Sequence, residues 1–251
     1  MIDPQKLIEQ FLGGGANNAA TGQDGKVQPG KTGSALDAIP VSLKGFGGGM
    51  AAGGLAAVLL GTKGGRKMAK SAVKLGGLAM LGGLAYKAYN DWQATKGGNS
   101  TVSQGEAADA AGNMKNITPK AEGTPFLPAP EAKRNELAIK LLQAMIAAAK
   151  ADGHIDAAEQ QRIFSKLDET GLSTEEKGFL MDELRRPLDI DAIVKLASND
   201  AEAVEIYAAS CVAIDPDHPA EQAYLSMLAA RLNLAPDLKA GIEQEVAAAA
   251  T

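Results

Sequence analysis

Apolar residues recur at helical spacing through the second half of the chain. Ala138, Leu141, Leu142, Met145 and Ala149 fall at i, i+3, i+4 and i+7 of one face, with Ile146 alongside, the period of an amphipathic helix. Ile163, Phe164 and Leu167 mark a second helix. Ser173-Thr174-Glu175-Glu176 has the form of a capping box and opens a third through Phe179, Leu180 and Leu184, which Pro187 closes. Ile190, Ile193, Val194 and Ala197 form a short fourth, and Val204, Tyr207, Ala208, Cys211 and Val212 a fifth. A sixth carries Tyr224, Leu225, Leu228 and Leu232; the last starts at Pro236, a residue suited to a first helical position, and runs through Leu238, Ile242 and Val246. No stretch alternates with period two. The pattern predicts an all-α fold, a bundle of about seven helices over residues 134–251 that can bury its own core.

The first half reads differently. Residues 1–15 hold a short amphipathic helix with Leu7, Ile8, Phe11 and Leu12 on one side, ended by Gly13-Gly14-Gly15. Residues 16–44 are polar and have the composition of a flexible linker. Within 45–95, Gly45 to Thr62 is an uncharged run of 18 residues that includes Leu59 and Leu60, and Leu75 to Tyr86 is a second of 12, containing Gly76, Gly77, Gly82 and Gly83. A bilayer span needs about 20 predominantly apolar residues. Gly49 and Gly53 form a small-xxx-small face of the kind that brings membrane helices together, and Tyr86, Tyr89 and Trp92 with Lys87 resemble an interfacial belt. These features predict a membrane-associated helical segment; the alternative is a pair of surface-lying helices whose glycine and alanine lower the hydrophobicity. Residues 96–133 return to Pro/Gly linker composition.

Charge and cysteine usage narrow the function. The formal charge is -5, so no general basic field exists to draw in nucleic acid. Lys63, Arg66, Lys67, Lys70 and Lys74 form an acid-free basic stretch beside the uncharged runs, which favours the cytoplasmic side by the positive-inside rule. The start of the chain has no basic run before an apolar core, so a secretory signal is not expected. A single cysteine, Cys211, excludes an intramolecular disulfide and any multi-cysteine metal site.

The candidate chemistry lies in two acidic turns. Asp152-Gly153-His154-Ile155-Asp156-Ala157-Ala158-Glu159 follows the end of a predicted helix. Aligning Gly153 with loop position six of an EF-hand puts Glu159 at position twelve, but positions one and three would be Ala148 and Lys150, which supply no carboxylate. Asp156 and Glu159 alone also fit a capping box, and Asp152-Gly153 a tight turn after a helix end. Asp215-Pro216-Asp217-His218-Pro219-Ala220-Glu221 repeats the plan with one residue fewer, the mark of a duplicated helix-turn-helix unit. If the two turns meet, Asp152, Asp156, Glu159, Asp215, Asp217 and Glu221 form an oxygen-rich site for a hard divalent cation such as Ca2+ or Mg2+. His154 and His218 could add nitrogen ligands for a softer metal, or be exposed turn residues. No nucleophile elbow, phosphate loop, dinucleotide fingerprint or zinc-protease motif is present, so catalysis is not expected.

These motifs carry a resemblance. The C-terminal part resembles the TerB-like domain of tellurite-resistance proteins, a helical bundle of duplicated origin with motifs of the form Ala-Asp-Gly-x-Ile-x-x-x-Glu, which Asp152 and Glu159 match. With the segment Leu75 to Tyr89 before it, the chain is similar to the YebE family of bacterial inner-membrane proteins. The second motif departs from the pattern, because Pro216 stands where glycine follows aspartate. The resemblance implies a metal-binding or stress-linked membrane-associated protein without an established reaction; together with the charge pattern and the missing catalytic motifs, the expectation is a non-enzymatic inner-membrane protein whose C-terminal domain lies in the cytoplasm and meets a protein partner or a second copy of itself. The alternative is a soluble helical scaffold whose acidic turns only cap helices.

Overall fold

A helix that is apolar on every side needs neighbours on every side, and the stretch from Asp200 to Ala213 is such a helix. The computed structural model describes residues 2–11, 76–96, 118–151, 172–214 and 219–249. In chain order these residues form α1 (Pro4–Phe11), α2 (Gly77–Lys96), α3 (Glu131–Ala149), α4 (Thr174–Arg185), α5 (Ile190–Val194), α6 (Asp200–Ala213), α7 (Pro219–Arg231) and α8 (Pro236–Ala249). The fold is all-α; no strand occurs among the described residues, and one isolated bridge pairs Glu122 with Leu127. The helix expected around Ile163 lies outside the described residues.

Helix α6 is the centre. Asn199 caps it by accepting from the Glu202 amide at 3.0 Å, and α3, α2, α8 and α7 all pack on it. Val204, Ile206, Tyr207, Ala208, Ala209 and Ala213 are buried along its length. One tie fixes α3 against it at the edge of this core: Lys140 Nζ donates to Glu202 Oε2 at 3.0 Å and to Ser198 Oγ at 3.3 Å. Burial works to raise the Glu202 carboxyl, but the Ser198 amide and the Lys140 ammonium hold it below the ordinary value.

The largest departure from the sequence-based expectation is α2. Its Leu78, Met80, Leu81, Leu84, Ala85 and Ala88 are buried against α8, α6 and α1 rather than facing lipid. No described helix is long and apolar enough to cross a membrane. Gly77, Gly82 and Gly83 lie in the core, and Gly76 precedes the helix with φ +80°, a conformation glycine adopts without a Cβ clash. These glycines, expected on a membrane segment, are packed against protein, with Gly82 letting the Phe126 backbone approach, and Trp92 packs on Tyr89. Gly49, Gly53, Leu59 and Leu60 lie outside the described residues.

The aromatic belt has the same correction. Phe126 sits between Tyr86 and Tyr89, at ring-centroid distances of 5.8 Å and 5.5 Å, and Tyr89 also contacts Trp92 at 5.7 Å. Lys96 Nζ lies 4.0 Å from the centre of the Trp92 ring, a cation-π contact. Part of the expected 96–133 linker is thus structured: residues 118–121 form a helical turn, and Ala121, Phe126 and Leu127 are buried. Helix α3 begins at Glu131, earlier than the periodicity from Arg134 suggests.

Helices α1 and α2 share the core of the 134–249 region. Leu7 and Ile8 are buried, Gln5 Nε2 donates to Asn135 Oδ1 at 2.8 Å, and the Asp3 amide donates to Glu176 Oε1 at 3.1 Å. The predicted capping box is present: Glu176 Oε2 accepts from the Ser173 amide at 2.7 Å, and Ser173 Oγ accepts from the Glu176 amide at 3.3 Å. Lys87 pairs with both Asp91 and Glu245, tying α2 to α8. Helix α7 ends at Arg231, and the chain turns away at Asn233, whose φ of 55° is left-handed, with the Leu234 amide reaching back to the Ala229 carbonyl at 3.0 Å.

A Cβ on Gly82 would sit 2.4 Å from the Phe126 carbonyl oxygen, whereas one on Gly178 would meet nothing within 4 Å. Gly82→Ala should destabilise the protein by about 2 kcal/mol, the overpacking range. Gly178→Ala, at an exposed site in α4, should stabilise it by roughly 0.5–1 kcal/mol. Urea unfolding of the two variants checks this, and equal responses would remove the close-approach role of Gly82.

Candidate functional site

The first acidic turn leaves the fold from a fixed point. Helix α3 ends at Ala149, and the Lys150 amide closes the helix onto the Ala147 and Ala148 carbonyls. Its buried side chain runs to the end of α4, where Nζ donates to the Glu183 carbonyl at 2.9 Å and the Arg186 carbonyl at 2.6 Å. Those carbonyls are at the negative end of α4, where an ammonium is favourably placed. Burial lowers the Lys150 pKa; the Glu183 charge works against that shift and the Arg186 charge adds to it. The neighbouring polar groups complete a small network: Gln143 Nε2 donates to Glu183 Oε1 at 2.9 Å, and Arg186 pairs with the same oxygen at 3.0 Å. Lys150, read from the sequence only as a residue unable to ligate calcium, is thus the bolt that positions the start of the turn.

The second turn returns to the fold at α7. Pro219 opens this helix and Glu221 is in its first turn, where the helix dipole favours a carboxylate. Glu221 is 2% exposed, as buried as the capping-box acid Glu176. Tyr224, one turn on, is also buried, and burial pushes its hydroxyl pKa up. Of the six expected ligands, Glu221 is described. Asp152, Asp156, Glu159, Asp215 and Asp217, with His154 and His218, lie outside the described residues. Among the described residues no group of three or more His, Cys, Asp or Glu is placed to hold a metal ion.

The remaining reactive side chains are in the core. Tyr207 donates to Glu243 Oε1 at 2.7 Å, and Lys239 pairs with the same oxygen at 2.8 Å. Burial first, and then the Glu243 charge, push the Cys211 thiol up to about 12, so it stays protonated and unreactive at neutral pH. This agrees with its expected place on a buried helical face.

One group escapes the sequence pattern. Glu205 is fully buried on α6, and neither carboxylate oxygen has a hydrogen-bond partner among the described residues. Burial, reinforced by the charge of Glu202, raises its pKa well above the ordinary glutamate value. The available signal is its spacing: Glu205 stands at i+4 from Ala201 and i-3 from Ala208, on a helix whose other interior positions are almost all apolar.

Comparison with known proteins gives a family and a relative. A family model described as "Protein of unknown function (DUF533)" matches residues 45–246, a range that contains all the helices but α1 and the last residues of α8. The chain is 35% identical over 107 residues to the uncharacterized protein in the ampR 5' region of Yersinia enterocolitica, covering 43% of this chain and 77% of that protein. No solved structure matches.

Replacing Lys150 tests the anchoring. Lys150→Met keeps the length of the side chain but leaves two helix-end carbonyls without their donor, and should cost about 2 kcal/mol of stability. Urea unfolding measures the loss, and faster amide exchange at the end of α4 should accompany it. An unchanged unfolding midpoint would show that the lysine does not hold the turn.

Proposed function

The chain belongs to this DUF533 family of proteins of unknown function, and on that premise we propose that it is a non-enzymatic helical binding module whose acidic turns take a hard divalent cation, calcium or magnesium. Glu221 carries the reading. It is 2% exposed in the first turn of the helix that follows the second acidic turn, and a buried carboxylate gains from a cation placed beside it. Two further features support it. Lys150 fixes the start of the first turn on the frame of α3 and α4, and the two turns leave α3 and α6, which pack directly against each other. The thiol of Cys211 is buried and held protonated, which argues against nucleophilic chemistry.

The likeness to YebE inner-membrane proteins lies in the segment Leu75 to Tyr89, but a membrane contact in that reading falls to residues 45–62, because the apolar side of α2 is already occupied by α8, α6 and α1. In that reading the basic stretch from Lys63 to Lys74 lies beside the membrane on the cytoplasmic side. A partner protein is the other expected ligand. The outward face of α7 offers exposed, uncharged Ala223, Ser226 and Met227 to it, with Met227 52% exposed.

Thermal unfolding of the full chain with added Ca2+ or Mg2+ tests the cation. A cation that binds only the folded state should raise stability by about 2.7 kcal/mol at a hundred times its dissociation constant. Asp152→Ala and Glu221→Gln should each abolish the rise while leaving the metal-free protein folded. A rise with Zn2+ alone would transfer the site to His154 and His218. No rise with any of the three cations would sink the reading, leaving a helical scaffold whose acidic turns only cap helices.

A further inference from the structure

We propose that Glu205 is a proton-operated latch: with its carboxyl neutral it joins α6 to the 118–127 segment and α2 across Gly82, and its ionisation releases them. The geometry begins with Gly82. A Cβ built there would lie 2.4 Å from the Phe126 carbonyl oxygen and 3.4 Å from Glu205 Oε1, so carbonyl and carboxyl flank the same glycine. A carbonyl oxygen only accepts hydrogen bonds, and so does an ionised carboxylate. Brought together in a buried site, two acceptors repel, whereas a carboxyl that keeps its proton can donate.

The described residues around it offer no other charge compensation. Glu205 is fully buried and neither oxygen has a partner among the described residues. On α6 the nearest ionisable neighbour is Glu202, whose like charge opposes ionisation. Lys140 of α3 is engaged by Glu202 and Glu136. Helix α2 has no ionisable side chain between Gly77 and Ala85; beyond Tyr86 comes Lys87, which is held by Asp91 and Glu245. On the 118–127 segment Lys120 and Glu122 are exposed. On α8, Lys239 and Glu243 serve Tyr207 instead. On α7 the acid is Glu221, in the first turn, and Arg231 pairs with Asp191 of α5. An acid in such a site is kept neutral by its environment.

The sign of the pH effect follows. The folded-state pKa lies above the unfolded one, so the latch is complete below the free-glutamate range and its contribution is lost as pH rises through the raised folded value. Relative to Glu205→Gln, which preserves shape and a donor, the folding equilibrium constant of the wild type should fall up to about tenfold per pH unit between those limits. Three measurements on the full chain read this out. Urea unfolding from pH 5 to pH 9 should give a declining curve for the wild type that separates from the Gln variant. Infrared spectra at pH 8 should show a neutral-carboxyl band in the wild type that Glu205→Gln lacks. Amide protection, corrected for intrinsic rate, should fall with pH in α2 and 118–127 ahead of α4. Parallel unfolding curves, absence of the band in the wild type, or uniform loss of protection across the helices would each overturn the proposal; the second and third outcomes are read on the wild type and need no variant to fold.

Discussion

The fold depends on one constraint: α6 has no face to give to water. A helix of 14 residues that carries Val204, Ile206, Tyr207, Ala208 and Ala209 around its circumference must be surrounded, and no single helix hairpin can do that. Helix α3 takes one side, α7 another, and the remaining side needs two more helices, α2 and α8. The segments before the C-terminal bundle are therefore part of its core. Burial on this scale supplies the hydrophobic stabilisation, but it also fixes what can be done with polar groups on α6.

Those polar groups are sorted by depth. Glu202, at the end of the helix, keeps its charge because Lys140 and the Ser198 amide reach it. Glu205, one turn deeper, meets a glycine and a carbonyl and is held as an acid. Ser210 satisfies its hydroxyl locally by donating to the Ile206 carbonyl at 2.8 Å. The same residue type thus serves as an ion pair in one place and as a neutral group in another, and the difference is a rise of a few ångströms along one helix.

Much of the helical frame was legible in the sequence. The box at Ser173 to Glu176, the start at Pro236 and the buried face of α3 all follow from local rules that tertiary packing did not override. Helix α2 was legible as a helix but not in its setting, because glycine-leucine packing looks alike against lipid tails and against another helix. The clamp on Phe126 was hidden in a stretch of linker composition, where two buried aromatic contacts outweigh the prolines around them. For the candidate site, the sequence showed the acids at Asp152 to Glu159 and Asp215 to Glu221 but not the lysine that anchors the first turn, since a lysine at a helix end usually stays in solvent. Glu205 was illegible for the opposite reason: an acid amid apolar residues reads as the exposed side of an amphipathic helix, and α6 has no exposed side.

The position of α2 in the chain has a consequence for synthesis. Lys87 and its partner Glu245 stand 158 positions apart, so the apolar side of α2 is translated long before α8 exists to cover it. Contacts of such separation form late and leave the waiting segment open to association with other chains. Glycine is a poor strand former, and α2 carries Gly77, Gly82 and Gly83 on the side that waits. Gly82, which admits the Phe126 backbone into the finished core, is thus also one of the residues that disfavour β-pairing of the unfinished chain.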